Sequence, residues 1–402
     1  MSKLLLITAI RNTLSKTYNN SHARTSSNLS VIVHRKNYTE PQHRYEPGGY
    51  HLVLPNEFYD RRYQVVRKLG SGRYSTVWLV QDTNDQSLAA MKVLVGDLSI
   101  SDKKGGWDEL GILKVIRDKN PQSFGYRHVC QLLDDFTHEG PNGNHICLVL
   151  EAMNLSVLDI YRSIPGAMAI PLLKRISKHV LLALQYLHEE CDIIHTDIKG
   201  DNILMTGTPP EEGQLEIELK DSYLKSTTFK LSDFGAANAM ANRFAEVIQP
   251  ESLRSPEVII GAEWDTKADI WNFGCLIYEF ARGAKLFEPH WDNENSGMNP
   301  TQTLLSQITG LCGDFSPEFI NRGRKSKLYF NDQGSLLRGA GKYTITLEDL
   351  LSRAGHSPKE VCETANFLSH MLVTDPKERW SAARLLHHPW LKSVGLHLRY
   401  SV

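Results

Sequence analysis

Nine residues near the middle of the chain, Ile194-His195-Thr196-Asp197-Ile198-Lys199-Gly200-Asp201-Asn202, restrict what it can fold into more than any other stretch. Among its polar side chains, His195, Asp197, Lys199 and Asn202 sit there between apolar flanks. Asp197 can accept a proton from a hydroxyl, Lys199 can balance phosphate charge, and Asn202 can hold a metal through its amide oxygen. Leu231-Ser232-Asp233-Phe234-Gly235 then places a second carboxylate beside a flexible glycine. Asp233 and Asn202 together suit Mg2+, a hard ion that takes oxygen ligands.

Two further motifs lie upstream. Leu69-Gly70-Ser71-Gly72-Arg73-Tyr74-Ser75-Thr76-Val77 has two glycines where a hairpin turn can fold over a phosphate with its N–H groups inward. It lies between two predicted strands rather than between a strand and a helix, which disfavours a dinucleotide-binding loop. Alone, such a hairpin is more often only a tight turn. Ala90-Met91-Lys92-Val93 puts one lysine in an apolar strand, where burial demands a partner. Glu109, on a predicted helix, can supply one; without the other motifs a solvent-facing Lys92 is the better reading. All four motifs in this order are very hard to obtain by chance.

The rest of the pattern divides the chain in two. Tyr63–Leu69 with Thr76–Val80, Leu88–Val95 and His145–Leu150 read as strands, with a helix at Glu109–Ile116. Beyond them helices dominate: Leu172–His188 is long and amphipathic, and Asp269–Arg282 and Glu360–Val373 read as buried or half-buried helices. Residues 207–228 are polar and acidic, a surface insertion. Residues 290–342 are Gly- and Asn-rich and read as loops with short helices, and Asp134-Asp135 as a surface turn.

Charge separates the tail from the body. Of 45 basic and 46 acidic residues, six basic and no acidic ones fall in residues 1–39, so the remainder holds 39 against 46. A slightly acidic body argues against nucleic-acid binding and is compatible with basic partners. Residues 1–45 read as a disordered basic leader, and their composition also fits a mitochondrial transit peptide. The six scattered cysteines show no C-x-x-C pair, which argues against structural zinc and for a reducing compartment. No apolar run approaches the ~20 residues that span a bilayer.

With these motifs the sequence resembles the eukaryotic protein kinases over about residues 63–392. Ser255-Pro256-Glu257, Asp269-Ile270-Trp271 and Arg379 extend the match, and the resemblance implies a buried Glu257–Arg379 pair. Gly48-Gly49-Tyr50-His51, Ser75-Thr76-Val77-Trp78-Leu79, His195-Thr196-Asp197-Ile198-Lys199, Arg254 and Leu286-Phe287-Glu288-Pro289-His290 resemble the SR-protein kinases, which phosphorylate Arg/Ser-rich splicing factors. The implied fold is α+β and bilobal. Residues 46–153 would form an antiparallel sheet lobe, and residues 154–402 a mainly helical lobe with a short spacer at 207–228 and an insert at 290–342.

The resemblance also implies the roles. Leu69, Gly70, Gly72 and Ser75 would cover the phosphates of ATP. Lys92, oriented by Glu109, would hold them. Adenine would lie between Val77, Ala90 and Leu204, against the backbone of Glu151 and Met153, with Leu150 behind. Asn202 and Asp233 would bind Mg2+, Asp197 would orient and deprotonate a Ser or Thr hydroxyl, and Lys199 would stabilise the transferring group. Partners would be basic Arg/Ser-rich proteins, with no direct nucleic acid and no membrane, for a monomer of the cytoplasm and nucleus unless the leader directs mitochondrial import.

Some positions depart from the pattern. Thr196 replaces the arginine that receives a phosphorylated activation loop, so independence of such phosphorylation is expected. Pro250 stands where related kinases carry a threonine. The docking stretch keeps only Asp292 and Glu294 before neutral Ser296-Gly297-Met298-Asn299. A pseudokinase scaffold and an active kinase with a different substrate are the alternatives, although scaffolds usually lose at least one of the five residues Lys92, Glu109, Asp197, Asn202 and Asp233. Arg322, Arg324, Lys325 and Lys327 read as a solvated loop face, and His387-His388-Pro389-Trp390 as core packing.

Overall fold

The computed structural model describes residues 40–99, 108–211, 226–241, 245–291, 293–339 and 345–394. Period-two alternation yields a six-stranded antiparallel sheet of β1 (Phe58–Tyr59), β2 (Tyr63–Gly72), β3 (Ser75–Asp82), β4 (Leu88–Leu94), β5 (Leu132–Gly140) and β6 (Gly143–Glu151). Their spatial order is β1-β2-β3-β4-β6-β5. Directly paired residues of such a sheet share a face. Val77, Lys92 and Leu148 form one row, and Leu79, Ala90 and Leu150 the next. Leu148 belongs to the main core with the helices. The opposite face, with Trp78, Val80, Met91, Val93, Cys147 and Val149, closes a separate small core. Helix α1 (Glu109–Lys119), capped by Asp108, buries Ile112, Leu113 and Ile116.

The helical lobe begins after β7 (Met153–Ser156), with α2 (Val157–Ser163) and α3 (Ile170–Gln185), the latter ending in a π-turn at Tyr186–Glu190. Short strands β8 (Ile193–Ile194), β9 (Ile203–Thr206), β10 (Phe229–Leu231) and β11 (Asn238–Ala239) pair as β10-β9-β7 and β11-β8. Then come α4 (Pro256–Ile260), α5 (Lys267–Arg282), α6 (Pro300–Cys312), α7 (Pro317–Arg322), α8 (Leu347–Ser352), α9 (Pro358–Ser369) and α10 (Ala382–Leu386). Helix α5 runs through the centre of this lobe, with Ala268 through Tyr278 all buried. The fold is the expected bilobal α+β arrangement. Among the described residues no helix is long and apolar enough to cross a membrane.

The structure corrects several local readings. Asp134-Asp135 is not a turn but part of β5, just past a bulge. Asp134 accepts from Arg62 (3.0 Å) and the Tyr63 hydroxyl (2.7 Å), and Asp135 from Lys114 (2.9 Å). Cations on neighbouring elements thus make two strand acids tolerable. Within 290–342, α6 is a full helix capped by Asn299, with Leu304, Leu305 and Ile308 in the core; the Gly- and Asn-rich flanks masked its period. Glu40 to Tyr45, expected in the leader, lie against the sheet lobe: Glu40 pairs with Lys68 and accepts from the Tyr45 hydroxyl. Residues 1–39 and most of the 207–228 spacer lie outside the described residues. The spacer joins two strands that pair with each other, Met205 opposite Phe229. His388 accepts from Trp390 N–H (3.1 Å) and meets Asn366 (3.0 Å), a packing role.

Candidate active site

A carboxylate buried in an apolar helix must find donors, and Asp269 of α5 finds them in the backbone of the polar loop after β8. It accepts from the N–H groups of His195 and Thr196, each at 2.8 Å, and from His188 Nε2 at 2.8 Å. One turn along α5, Asn272 accepts from Ile198 N–H (3.1 Å) and donates to its carbonyl (2.8 Å). The loop is therefore fixed at three residues around Asp197. Thr196 is held at φ +66°, a left-handed conformation that costs a β-branched residue of order 1–3 kcal/mol. Its hydroxyl donates to Ala236 O at 2.6 Å.

The two catalytic-looking segments are bonded to each other. His195 Nδ1 accepts from Asp197 N–H (3.3 Å), so Nε2 carries the proton and donates to Ser232 O (3.0 Å). Ser232 N–H and hydroxyl both reach Asn202 O, at 2.8 and 3.1 Å. Lys199 Nζ lies 2.7 Å from Asp197 Oδ2. Asn202 donates its amide nitrogen to Asp197 O (2.8 Å) and Oδ2 (3.2 Å), which leaves its amide oxygen for another ligand.

Lys92 spans the lobes. Its Nζ is 2.6 Å from Glu109 Oε1 on α1 and 2.9 Å from Asp233 Oδ1 beyond β10. Burial alone would lower its pKa, but the two carboxylates reverse that and hold it as a cation. Lys92 in turn pulls Asp233 down to about 2, against the effect of burial. The solvent-facing reading of Lys92 is excluded: it is 9% exposed.

Above this group, Gly70 pairs with Val77 and Gly72 with Ser75, so the loop from Leu69 to Val77 is a hairpin tip as expected. Leu204 of β9 sits opposite Lys230 of β10, while its neighbours Ile203 and Met205 are buried in the core. Lys230 ties to Glu151 at 2.6 and 2.8 Å. Glu151 N–H is taken by Gln131 O (3.1 Å), and its carbonyl accepts from the Cys130 thiol at 4.0 Å. Met153 is buried at the lobe junction. Farther off, Arg379 makes a two-pronged pair with Glu257, at 2.8 and 3.0 Å. Asp292 lies outside the described residues, and Glu294 is exposed on a single helical turn.

Sequence reading missed the positioning role of Asp269 and Asn272 and the Lys230–Glu151 tie. The signal for the first two was present: a lone acid and a lone amide one helical turn apart in an otherwise apolar stretch.

A lysine of an antiparallel sheet lobe, clamped between a helix glutamate and an aspartate of a helical lobe, beside a loop aspartate and asparagine, defines a protein kinase. The chain belongs to that family: residues 63–391 match the protein kinase domain. More particularly it is SRPK-like. It is similar to the serine/threonine-protein kinase SRPK of Physarum polycephalum, 32% identical across 87% of this chain and 90% of the relative. Protein kinase dsk1 of Schizosaccharomyces pombe is 29% identical across 91% and 87%, and SRSF protein kinase 3 of Homo sapiens 27% across 86% and 89%. The protein is a serine/threonine-protein kinase of the SRPK type.

Proposed function

We propose that this kinase transfers the γ-phosphate of ATP to Ser/Thr hydroxyls of Arg/Ser-rich proteins and needs no phosphorylation of its activation loop. The observation that carries the transfer is the Lys92 clamp, closed on both Glu109 and Asp233. Positioning and charge neutralisation are what phosphoryl transfer asks of a protein. Lys92 holds the phosphates under the Leu69–Val77 hairpin, with adenine between Val77, Ala90 and Leu204 and before Leu150. Asp197 accepts the hydroxyl proton. Lys199, which shares Asp197 Oδ2, neutralises the moving phosphoryl group.

Asn202 Oδ1 and the ionised Asp233 form an all-oxygen donor set that fits Mg2+. The ion, when bound, supplies charge neutralisation at the phosphates. Substrate choice is supported by the likeness to a relative named SRSF protein kinase 3 and by the acidic body of the chain. Loop independence is supported by the Thr196 hydroxyl, which already ties the catalytic loop to the segment after Asp233 through Ala236.

The test is Mg-ATP phosphorylation of an Arg/Ser-repeat peptide by wild type and by Asp197→Asn. A drop of at least a hundredfold is expected, in the range that removal of a general base produces. Equal rates would sink the assignment, and a preference for acidic or Pro-directed peptides would sink the substrate. Phosphatase treatment of the purified protein should leave its rate unchanged; abolished activity would refute loop independence.

A further inference from the structure

The tip of the Leu69–Val77 hairpin is sparsely packed, since nothing lies within 4 Å of where a Cβ would stand at Gly70 or Gly72. Yet its turn carbonyls are taken, and by residues from outside the lobe's strands. The Tyr50 hydroxyl donates to Gly72 O at 2.6 Å. Arg44 Nη1 donates to Arg73 O at 2.5 Å and to the Tyr50 hydroxyl at 3.1 Å, and its guanidinium lies 4.5 Å from the centre of the Tyr50 ring. Tyr50 itself is buried, at 3% exposure.

This strap is anchored at its other end. Gly48 N–H donates to Asn142 O (2.7 Å) in the β5–β6 turn, and Asn142 Nδ2 returns a bond to Tyr50 O (2.7 Å). Gly96 and Asp97 N–H groups, just past the strand that carries Lys92, donate to Gly49 O (3.0 Å) and Gly48 O (2.8 Å). The turn needs its glycines. Gly48 has φ +82°, and a Cβ on Gly49 would stand 2.1 Å from Arg44 O.

From this geometry we propose that residues 44–50 act as a strap that sets the height of the hairpin over the nucleotide, with Tyr50 and Arg44 as positioning residues for ATP. The inference rests on the phosphate-covering role given to that hairpin under Proposed function. Physically, the strap removes freedom from a glycine-bearing tip before the nucleotide arrives, so less ordering entropy is lost on binding.

The test uses full-length Tyr50→Phe, which keeps the ring and removes only the donor, and Arg44→Gln. Hydrogen exchange without nucleotide should quicken at the amides of residues 71–75. The KM for ATP should rise about fivefold, the size of one lost hydrogen bond, more than kcat falls. The KM for the peptide should stay at the wild-type value, and the melting temperature should fall by no more than about 2–4 °C. Unchanged exchange in both variants overturns the strap. Faster exchange with an unchanged KM for ATP overturns its positioning role and leaves the hairpin's role standing. If wild type binds no Mg-ATP by calorimetry, the reading of the site fails and the proposal falls with it.

Discussion

Lys92 shows how one residue carries several demands. It is the counter-charge beside Glu109, 2% exposed, where it opposes the burial that raises the Glu109 pKa, and it is the group that depresses Asp233. Lys92→Met would leave Glu109 buried without a cation. Removing one partner of a buried pair costs about 3–5 kcal/mol, and here the deserted carboxyl can escape by taking up a proton. Burial already raises the Glu109 pKa in the wild type, and loss of Lys92 would raise it further, so the variant should recover stability as the pH falls through that raised pKa. Urea midpoints at pH 7.5 and pH 5 measure this: the deficit of Lys92→Met against wild type should shrink at the lower pH. Phosphorylation should be lost at both. Thr196 makes the complementary point, because its strained φ persists only where Asp269 and Ala236 over-determine the loop.

Between elements, the contact of α3 with the lobe junction rests on two stacked histidines. His128 and His179 lie 4.3 Å apart, and both bond the main chain of Phe229 in β10: His128 Nδ1 reaches its carbonyl at 3.1 Å, and His179 Nδ1 accepts its N–H at 3.1 Å. Burial lowers both pKa values, His128 to about 4. The unfolded chain therefore binds more protons below its ordinary histidine pKa of about 6.5, and stability falls as pH drops from there toward 4, by roughly 1.4 kcal/mol per pH unit for each ring. His179→Asn keeps an acceptor at the Nδ1 position and should flatten that slope in unfolding measured between pH 7 and 5; an unchanged slope would place the acid sensitivity elsewhere. Elements of this kind also show what the sequence could reveal. The β2–β3 hairpin was legible because Gly70 and Gly72 interrupt a clear alternation, and α3 because its apolar face repeats at helical spacing. Strand β5 was not, because its acids are neutralised by Arg62 and Lys114 from other elements. Helix α6 was not, because its core-facing leucines are bracketed by glycines and asparagines. Lys92, Glu109 and Asp233 meet in the structure, as do Asp197, Lys199 and Asn202, whereas Asp269 and Asn272 hold the loop through backbone groups that a sequence does not display.

Across the whole molecule, two parts of the helical lobe 122 residues apart in sequence are joined by Arg379 and Glu257, both 0% exposed as side chains. Arg379 also donates to Lys267 O at 2.6 Å and to Val373 O at 3.0 Å. Arg379→Met would strand the Glu257 carboxylate, and a loss of about 3–5 kcal/mol is expected in urea unfolding. The double variant Glu257→Gln, Arg379→Met should recover part of it, since no buried charge is then left unpaired. A full loss in the double variant would mean that Arg379 acts through the backbone carbonyls instead.

That pair also sets a timetable for synthesis. Glu257 leaves the ribosome 122 residues ahead of its partner, an interval of roughly 6–24 s at 5–20 residues per second. Asp269, on which the catalytic loop hangs, has likewise to wait for the helices that bury it. A sheet lobe complete by Glu151 can fold while the rest is being made, but the Glu257 pair of the helical lobe closes only once Arg379 has been made. Until then Glu257 lacks the cation that pairs with it in the folded lobe, and a chain stopped short of Arg379 should be cut by protease at α4 sooner than the full chain.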